Sequence, residues 1–434
     1  MSSDNLNRRP SNGTSRKSSN GSTTRRSSTG SNVNRTGSSS RNSVNRTGNP
    51  AGNNVNRTGS TSGKKPSGKK KNSKKAAAAR KRKKIILFAV EIAVLAILCV
   101  VFWVITQGVK ADKVIVDEEV VVSQEVQDKM NSTVVVNDDG SQTTIGELYT
   151  QVALFGVDST EGELSKNTRT DTIIIASINN QTGEVKLCSV YRDTYLNLSN
   201  DQYNKCNSAY AFGGAPQAIQ MLNMNLDLNI TDYITVGFKG VVDAVDSLGG
   251  IELDLTSEEI RYLNDYQYCI AENLNRSSQY VALSTPGMQL VNGLQACGYC
   301  RIRYTAGDDY KRTERQRTVI NLLLEKSKTV NPTLLTQIVT DSFANVSTSF
   351  DLGEILSYTT VVGNYTIVGS EGFPFTDYRT AGTIGSKGSC VVPLDLTTNV
   401  VLLHEYLFGV QDYDPTDTVK QCSEQIKSDT SQYL

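Results

Sequence analysis

The sequence predicts an α/β domain preceded by a disordered basic tail and one transmembrane helix. Three observations carry that reading. Short β-branched and apolar runs recur between about 150 and 190, bounded by polar turns. Segments with a helical apolar period follow between about 216 and 326. The first 84 residues have neither pattern, and an unbroken apolar run comes next.

Residues 1–84 hold 22 Lys and Arg and a single acid, Asp4, a net charge of +21. The other residues hold 23 basic and 43 acidic side chains, a net charge of −20. The balanced total of +1 therefore describes neither part. Ser, Asn, Gly, Arg and Lys dominate the tail, which has too little apolar surface to offset chain ordering. Val-Asn-Arg-Thr-Gly recurs from Val33, Val44 and Val55, but nothing apolar recurs with it to build a solenoid. Such a tail suits an anionic membrane surface, at about 1 kcal/mol per adjacent cation. A nucleic-acid arm is disfavoured because the tail has no aromatic residue to stack on bases, so no nucleic-acid partner is expected.

Ile85 to Ile105 is apolar apart from Glu91. At a helical rise of 1.5 Å, such a run crosses a hydrocarbon core of about 30 Å. The cluster Arg80 to Lys84 outweighs the sparse Lys110 and Lys113, so residues 1–84 are expected in the cytoplasm and 106–434 outside the cell. This is a single-pass cell-membrane protein on that reading. Residues 106–147 read as a stalk, 148–412 as the folded domain and 413–434 as a C-terminal tail.

Val152 to Val157 reads as a buried strand ending at Asp158. Thr172 to Ile178 reads as a second strand and Glu184 to Val190 as a third, joined by a turn at Asn179 to Gly183. Pairing position 178 with 184 places 171 opposite 191. Asp171 and Arg192, with neighbours Arg169 and Asp193, then gather at one end of the sheet. A structural ion-pair cluster explains that gathering as well as a phosphate site does.

Pro216 to Met224 and Phe238 to Leu248 read as helices, the second ended by Gly249-Gly250. Val241, Val242, Val245 and Leu248 suit either core or a groove for a lipid tail. Lys205, ahead of the first helix, is a lesser candidate for a phosphate contact. Gly293 to Cys297 predicts a short helical turn leading into a strand over Tyr299 to Tyr304, which puts Arg301 and Arg303 on one face.

A helix from Tyr310 to about Lys326 follows, with Asp309 as its N-cap. Arg312, Gln316, Val319 and Leu323 share an arc of about 60°, so Arg312 and Gln316 face inward with the apolar pair. Arg315 and Arg317 diverge, and at least one is expected in solvent. Six of the seventeen residues from Arg301 to Arg317 are basic, in an otherwise acidic part of the chain. Guanidinium forks match phosphate oxygens, and carboxylates hold divalent metals. Together they point to phosphate chemistry.

Eight cysteines and one histidine limit other chemistries. Cys297 and Cys300 form the one C-x-x-C, without the second pair or histidines that a zinc site needs. The cysteines are expected as small buried residues or in one or two disulfides. Ser-His-Asp and Cys-His mechanisms would all have to use His404, which sits in an apolar stretch and is expected to be packed.

Phe155-Gly-Val-Asp158, Arg169-Thr-Asp171-Thr, Tyr191-Arg192-Asp193-Thr194, Lys205-x-Asn207-x-Ala209-Tyr210, Phe238-Lys-Gly240 with Asp246 to Gly250, Arg301-x-Arg303 and Arg312-x-x-Arg315-Gln316 occur in that order. This ordered set, over about residues 150–325, resembles the LytR-CpsA-Psr family of cell-wall polymer ligases. The resemblance implies a three-layer α/β/α domain with a mixed central sheet. It implies transfer of an anionic glycopolymer from a polyprenyl-pyrophosphate carrier to peptidoglycan, with Mg²⁺ or Mn²⁺. Asp158 and Asp171 would stand on the metal side. Arg169, Arg192, Arg301, Arg303 and Arg312 would clamp the pyrophosphate, assisted by Gln316 and Lys205. The prenyl chain would lie in an apolar tunnel between sheet and helices.

The resulting expectation is a membrane-anchored phosphotransferase with Asp171, Arg192, Asp193, Arg303 and Arg312 at the reacting centre. A general base is needed, with Asp171 the first candidate and Asp193 the second. The alternatives are a polyprenyl-pyrophosphate hydrolase and a non-enzymatic lipid-pyrophosphate sensor.

Overall fold

A computed structural model describes residues 120, 122–136, 140–159, 164–165, 168–305 and 308–433. The basic tail and the apolar run at 85–105 lie outside these residues. Among the described residues, no helix is long and apolar enough to cross a membrane.

Six strands form a mixed sheet. They are β1 Tyr149–Val157, β2 Thr170–Asn179, β3 Glu184–Val190, β4 Asp232–Val236, β5 Val346–Thr348 and β6 Thr366–Phe373, in the order β5-β4-β1-β2-β3-β6. β4 runs parallel to β1 and β6 parallel to β3, and the other neighbours are antiparallel. Isoleucines fill β2, and alternate side chains serve both faces because the strand is covered on both sides. Ile173 and Ile175 face one core and Ile174 and Ala176 the other.

Helices α1 Ser208–Leu226, α6 Leu396–Phe408 and α7 Asp417–Thr430 cover the first face, through residues such as Ile219, Leu222, Leu403 and Ile426. The opposite face carries α2 Phe238–Ser247, α4 Gly293–Tyr299 and α5 Asp308–Thr329, with α3 Ser257–Asn273 packed on α4. The expected layers of helix, mixed sheet and helix are therefore present.

Several boundaries differ from expectation. The Ile178–Val185 pairing shifts the β2/β3 register by one residue, which brings position 171 level with 192 instead of 191. The first helix is longer than predicted and kinks at Gly213-Gly214, so Pro216 opens its second segment. Gly214 has φ +66°, and a Cβ there would meet the Ser165 carbonyl. The folded domain starts before Leu148. Residues assigned to the stalk form a helix, Gln124–Ser132, that buries Val126 and Met130. Residues assigned to the C-terminal tail form α7, whose Val419, Cys422 and Ile426 are buried on one side. Asp227 fixes that helix start by accepting hydrogen bonds from the Thr416 amide and hydroxyl.

An arginine-lined recess opening into an apolar groove

The C-terminal ends of β1 and the start of β2 meet above the sheet, at the end where α5 begins. There a polar recess of about 470 Å³ is lined by Asp158, Thr168, Arg169, Asp171, Arg192, Tyr266, Arg301, Arg303 and Arg312. All five arginines of the predicted clamp and both metal-side carboxylates thus share one space. An apolar groove of about 270 Å³ adjoins it and shares Asp171, Arg301 and Arg312 with it. Leu154, Gly156, Ile174, Ile234 and Val236 of the sheet form its floor. Phe238, Val241 and Ala244 of α2, Cys297 of α4, and Gln316, Val319, Ile320 and Leu323 of α5 form its roof.

Asp171 organises the charged end. Its Oδ1 accepts from Arg192 Nη1 at 2.7 Å. Its Oδ2 accepts from Arg303 Nη2 at 3.2 Å and ion-pairs with Arg312 Nη2 at 2.9 Å, which donates its hydrogen bond to the Asp171 main-chain carbonyl. Burial pushes this carboxyl up, but Arg312, Arg192 and Arg303 outweigh that effect and hold it below its ordinary value. A depressed pKa suits a metal-side or anion-organising carboxylate more than a proton acceptor. Burial lowers the pKa of Arg312, which is only 3% exposed, and Asp171 partly offsets this. The site also leaves polar atoms unmatched. Arg192 Nε, Arg312 Nε, Gln316 Oε1 and Asp309 Oδ1 are buried with no hydrogen-bond partner. Two of the four are guanidinium donors of arginines that line the recess.

Arg301 and Arg303 reach the recess by a different route from the predicted strand. The backbone after α4 stays coiled, with Arg301 N–H donating to Gly298 O and Ile302 N–H to Tyr299 O. A capping box between Asn292 and Gln295 starts this helix, which outlasts the predicted turn. Ile302 is fully buried between the two arginines, so they still emerge together. The Arg301 guanidinium lies over Phe238 at 4.5 Å, at the mouth of the groove.

Arg315 and Arg317 are both buried, against the expectation that one faces solvent. Arg315 donates to Glu259, Ile302 O and Thr305 Oγ1, and so ties the 301–305 loop to α3. Arg317 donates to Ser370 on β6. Asp309 is not a cap, since α5 already includes Asp308. Its carboxylate instead lies 3.5–3.7 Å from Arg303, Arg312 and Arg192. Lys205 lines neither space and pairs with Asp193 at 3.2 Å. Gln316 faces inward as predicted, donating to Cys300 O.

Tyr266 and the Glu259 anchor were missed. Thr256-x-x-Glu259 is a legible capping box, so α3 could have been found from it. Tyr266 itself has no distinguishing sequence signal.

The seven cysteines from Cys188 to Cys422 are free thiols. Burial pushes the Cys297 thiol up to about 12, which suits an inert groove wall. His404 is fully buried, stacked on Tyr413 at 3.7 Å and bonded to Leu226 O, and burial lowers its pKa to about 4.

A metal at this site would have Asp158 and Asp171 as protein ligands. Among the described residues, no group of three or more His, Cys, Asp or Glu is placed to hold a metal. Two carboxylates on one recess would suit a divalent cation such as Mg²⁺.

Biofilm regulatory protein A of Streptococcus mutans is 27% identical to this chain over 303 residues, covering 62% of this chain and 71% of that protein. The polyisoprenyl-teichoic acid–peptidoglycan teichoic acid transferase TagU of Enterococcus faecalis is 32% identical over 183 residues. That match covers 42% of this chain and only about half, 54%, of TagU. The crystal structure of protein gbs0355 from Streptococcus agalactiae has the same fold, with a TM-score of 0.51 at 24% identity, covering 63% of this chain and 92% of that one. The sequence model of the LytR_cpsA_psr family matches residues 115–383, and the chain belongs to that family.

Proposed function

We propose that this protein transfers an anionic glycopolymer from a polyprenyl-pyrophosphate carrier to peptidoglycan. One observation carries this reading: a five-arginine recess and an apolar groove join at Asp171, Arg301 and Arg312. That is the shape of an amphiphile with a multiply charged head and a hydrocarbon tail. The TagU relative, a polyisoprenyl-teichoic acid–peptidoglycan teichoic acid transferase, supports the same substrate class. The apolar run from Ile85 to Ile105 supports an anchor that keeps the domain beside the lipid.

In this mechanism the arginines bind the pyrophosphate bidentately and neutralise charge as it shifts to the leaving lipid phosphate. Asp171 orients Arg192, Arg303 and Arg312 before the substrate arrives. Asp158 and Asp171 would hold Mg²⁺ or Mn²⁺, which would supply Lewis-acid stabilisation of the phosphate oxygens. The groove positions the prenyl chain, so that little covalent work remains beyond orientation. Water in place of the sugar hydroxyl would make the protein a hydrolase. A sensor would need the arginines but not the paired aspartates.

Narrowing the groove tests the lipid assignment. Ala244→Phe is expected to abolish binding of long-chain prenyl pyrophosphate in calorimetry while inorganic pyrophosphate binds as before. Equal loss of both ligands, or of neither, would contradict a lipid-binding groove.

A further inference from the structure

A third space touches the reacting centre, and none of the assignments above uses it. It has a volume of about 230 Å³, and its walls include Asp193, Asp309, Tyr310, Ala381, Ser389 and Val391. Asp171 and Arg312 line this recess, the arginine recess and the groove alike. None of the groove's floor residues reaches it. A phosphoryl group held at Asp171 and Arg312 would therefore have its lipid side in the groove and an open approach from this recess. In-line displacement needs such an arrangement.

The three carboxylates here differ in what they already hold. Both oxygens of Asp171 accept guanidinium N–H groups. Asp193 lies between Lys205 at 3.2 Å and Arg192 Nε at 3.7 Å. The guanidiniums nearest Asp309 stand at 3.5–3.7 Å, beyond good hydrogen bonds, and its Oδ1 has no hydrogen-bond partner. Its Oδ1 is buried, so a hydroxyl would meet its Oδ2, which stands 3.7 Å from Arg192 Nη2 on a side chain that is 37% exposed.

We propose that this recess admits the acceptor sugar and that Asp309 takes the proton from its attacking hydroxyl. The inference rests on the transferase reading above. The hydroxyl oxygen bonds to the glycopolymer-side phosphorus. The bond from that phosphorus to the bridging oxygen breaks, and its electron pair leaves with the prenyl phosphate. The hydroxyl proton goes to Asp309 and then to solvent. Asp309 replaces Asp171 and Asp193 as the general base expected from sequence.

The test uses the full chain, a prenyl-pyrophosphate-linked sugar as donor and a soluble peptidoglycan oligomer as acceptor. Asp309→Asn is expected to bind donor like the unaltered protein while kcat falls about 10²–10⁴-fold. Ala381→Phe, which adds bulk to the recess wall from an exposed position of the 379–393 hairpin, is expected to raise KM for the acceptor and leave donor affinity unchanged. Transfer by Asp309→Asn at the unaltered rate overturns the base assignment. An unchanged acceptor KM in Ala381→Phe overturns the recess assignment. If the unaltered protein binds donor but releases no prenyl phosphate, the transferase reading falls and this inference with it.

Discussion

Asp171→Asn is expected to lower transfer about 10²–10³-fold and to destabilise the fold by about 3 kcal/mol at neutral pH. The carboxylate accepts from Arg192 and Arg303 and ion-pairs with Arg312, all largely shielded from water. Removing its charge leaves the three cations with only Asp309, at 3.5–3.7 Å, as a shared counter-charge, which is the costly way to break such a cluster. The pH dependence follows from the direction of the shift. Asp171 is held below its ordinary pKa in the folded state. Its stabilising contribution is then present above the unfolded carboxyl pKa and is lost as pH falls through the folded value. Denaturant melts of the two proteins should differ most near neutrality and converge in acid. A constant gap down to acid pH would show that the charge cluster is not the source of the difference.

Arg315→Ala should be at least as damaging to folding, by about 3–5 kcal/mol. Its side chain is 2% exposed and donates to Glu259, to Ile302 O and to Thr305 Oγ1. Truncation strands the Glu259 carboxylate in the interior, where an unpaired charge is expensive. It also frees the loop that carries Arg301 and Arg303 on either side of Ile302. The two effects separate in a double variant. Arg315→Met with Glu259→Leu replaces the ion pair with apolar side chains and should recover most of the stability. Donor affinity should stay low, because the loop has still lost its two anchoring hydrogen bonds. Recovery of both quantities together would mean that Arg315 serves folding alone.

Much of this site was legible because its chemistry is carried by residue type and order. Asp171 and Arg192 were placed at one sheet end by an antiparallel pairing one residue from the observed register. Arg312 and Gln316 were placed inward by the period shared with Val319 and Leu323. The failures have a common physical cause. Periodicity reports which face is apolar, and it cannot see a buried guanidinium that a distant carboxylate or hydroxyl makes tolerable. Glu259 lies 56 positions from Arg315 and Ser370 lies 53 from Arg317. Asp309 has the composition of a cap, and only the fold reveals that its carboxylate turns toward three arginines. The segment after Tyr299 has strand-like alternation, yet helical hydrogen bonds from α4 continue through Ile302.

The central claim is that one amphiphile spans the arginine recess and the apolar groove. Diffraction from crystals grown with a soluble prenyl pyrophosphate tests it most directly. The predicted result is density for two phosphates against Arg169, Arg192, Arg301, Arg303 and Arg312, continuing as a hydrocarbon chain between Ile174 and the roof residues Val241, Ala244 and Ile320. A pyrophosphate bound elsewhere, or a chain lying outside the groove, would contradict the account.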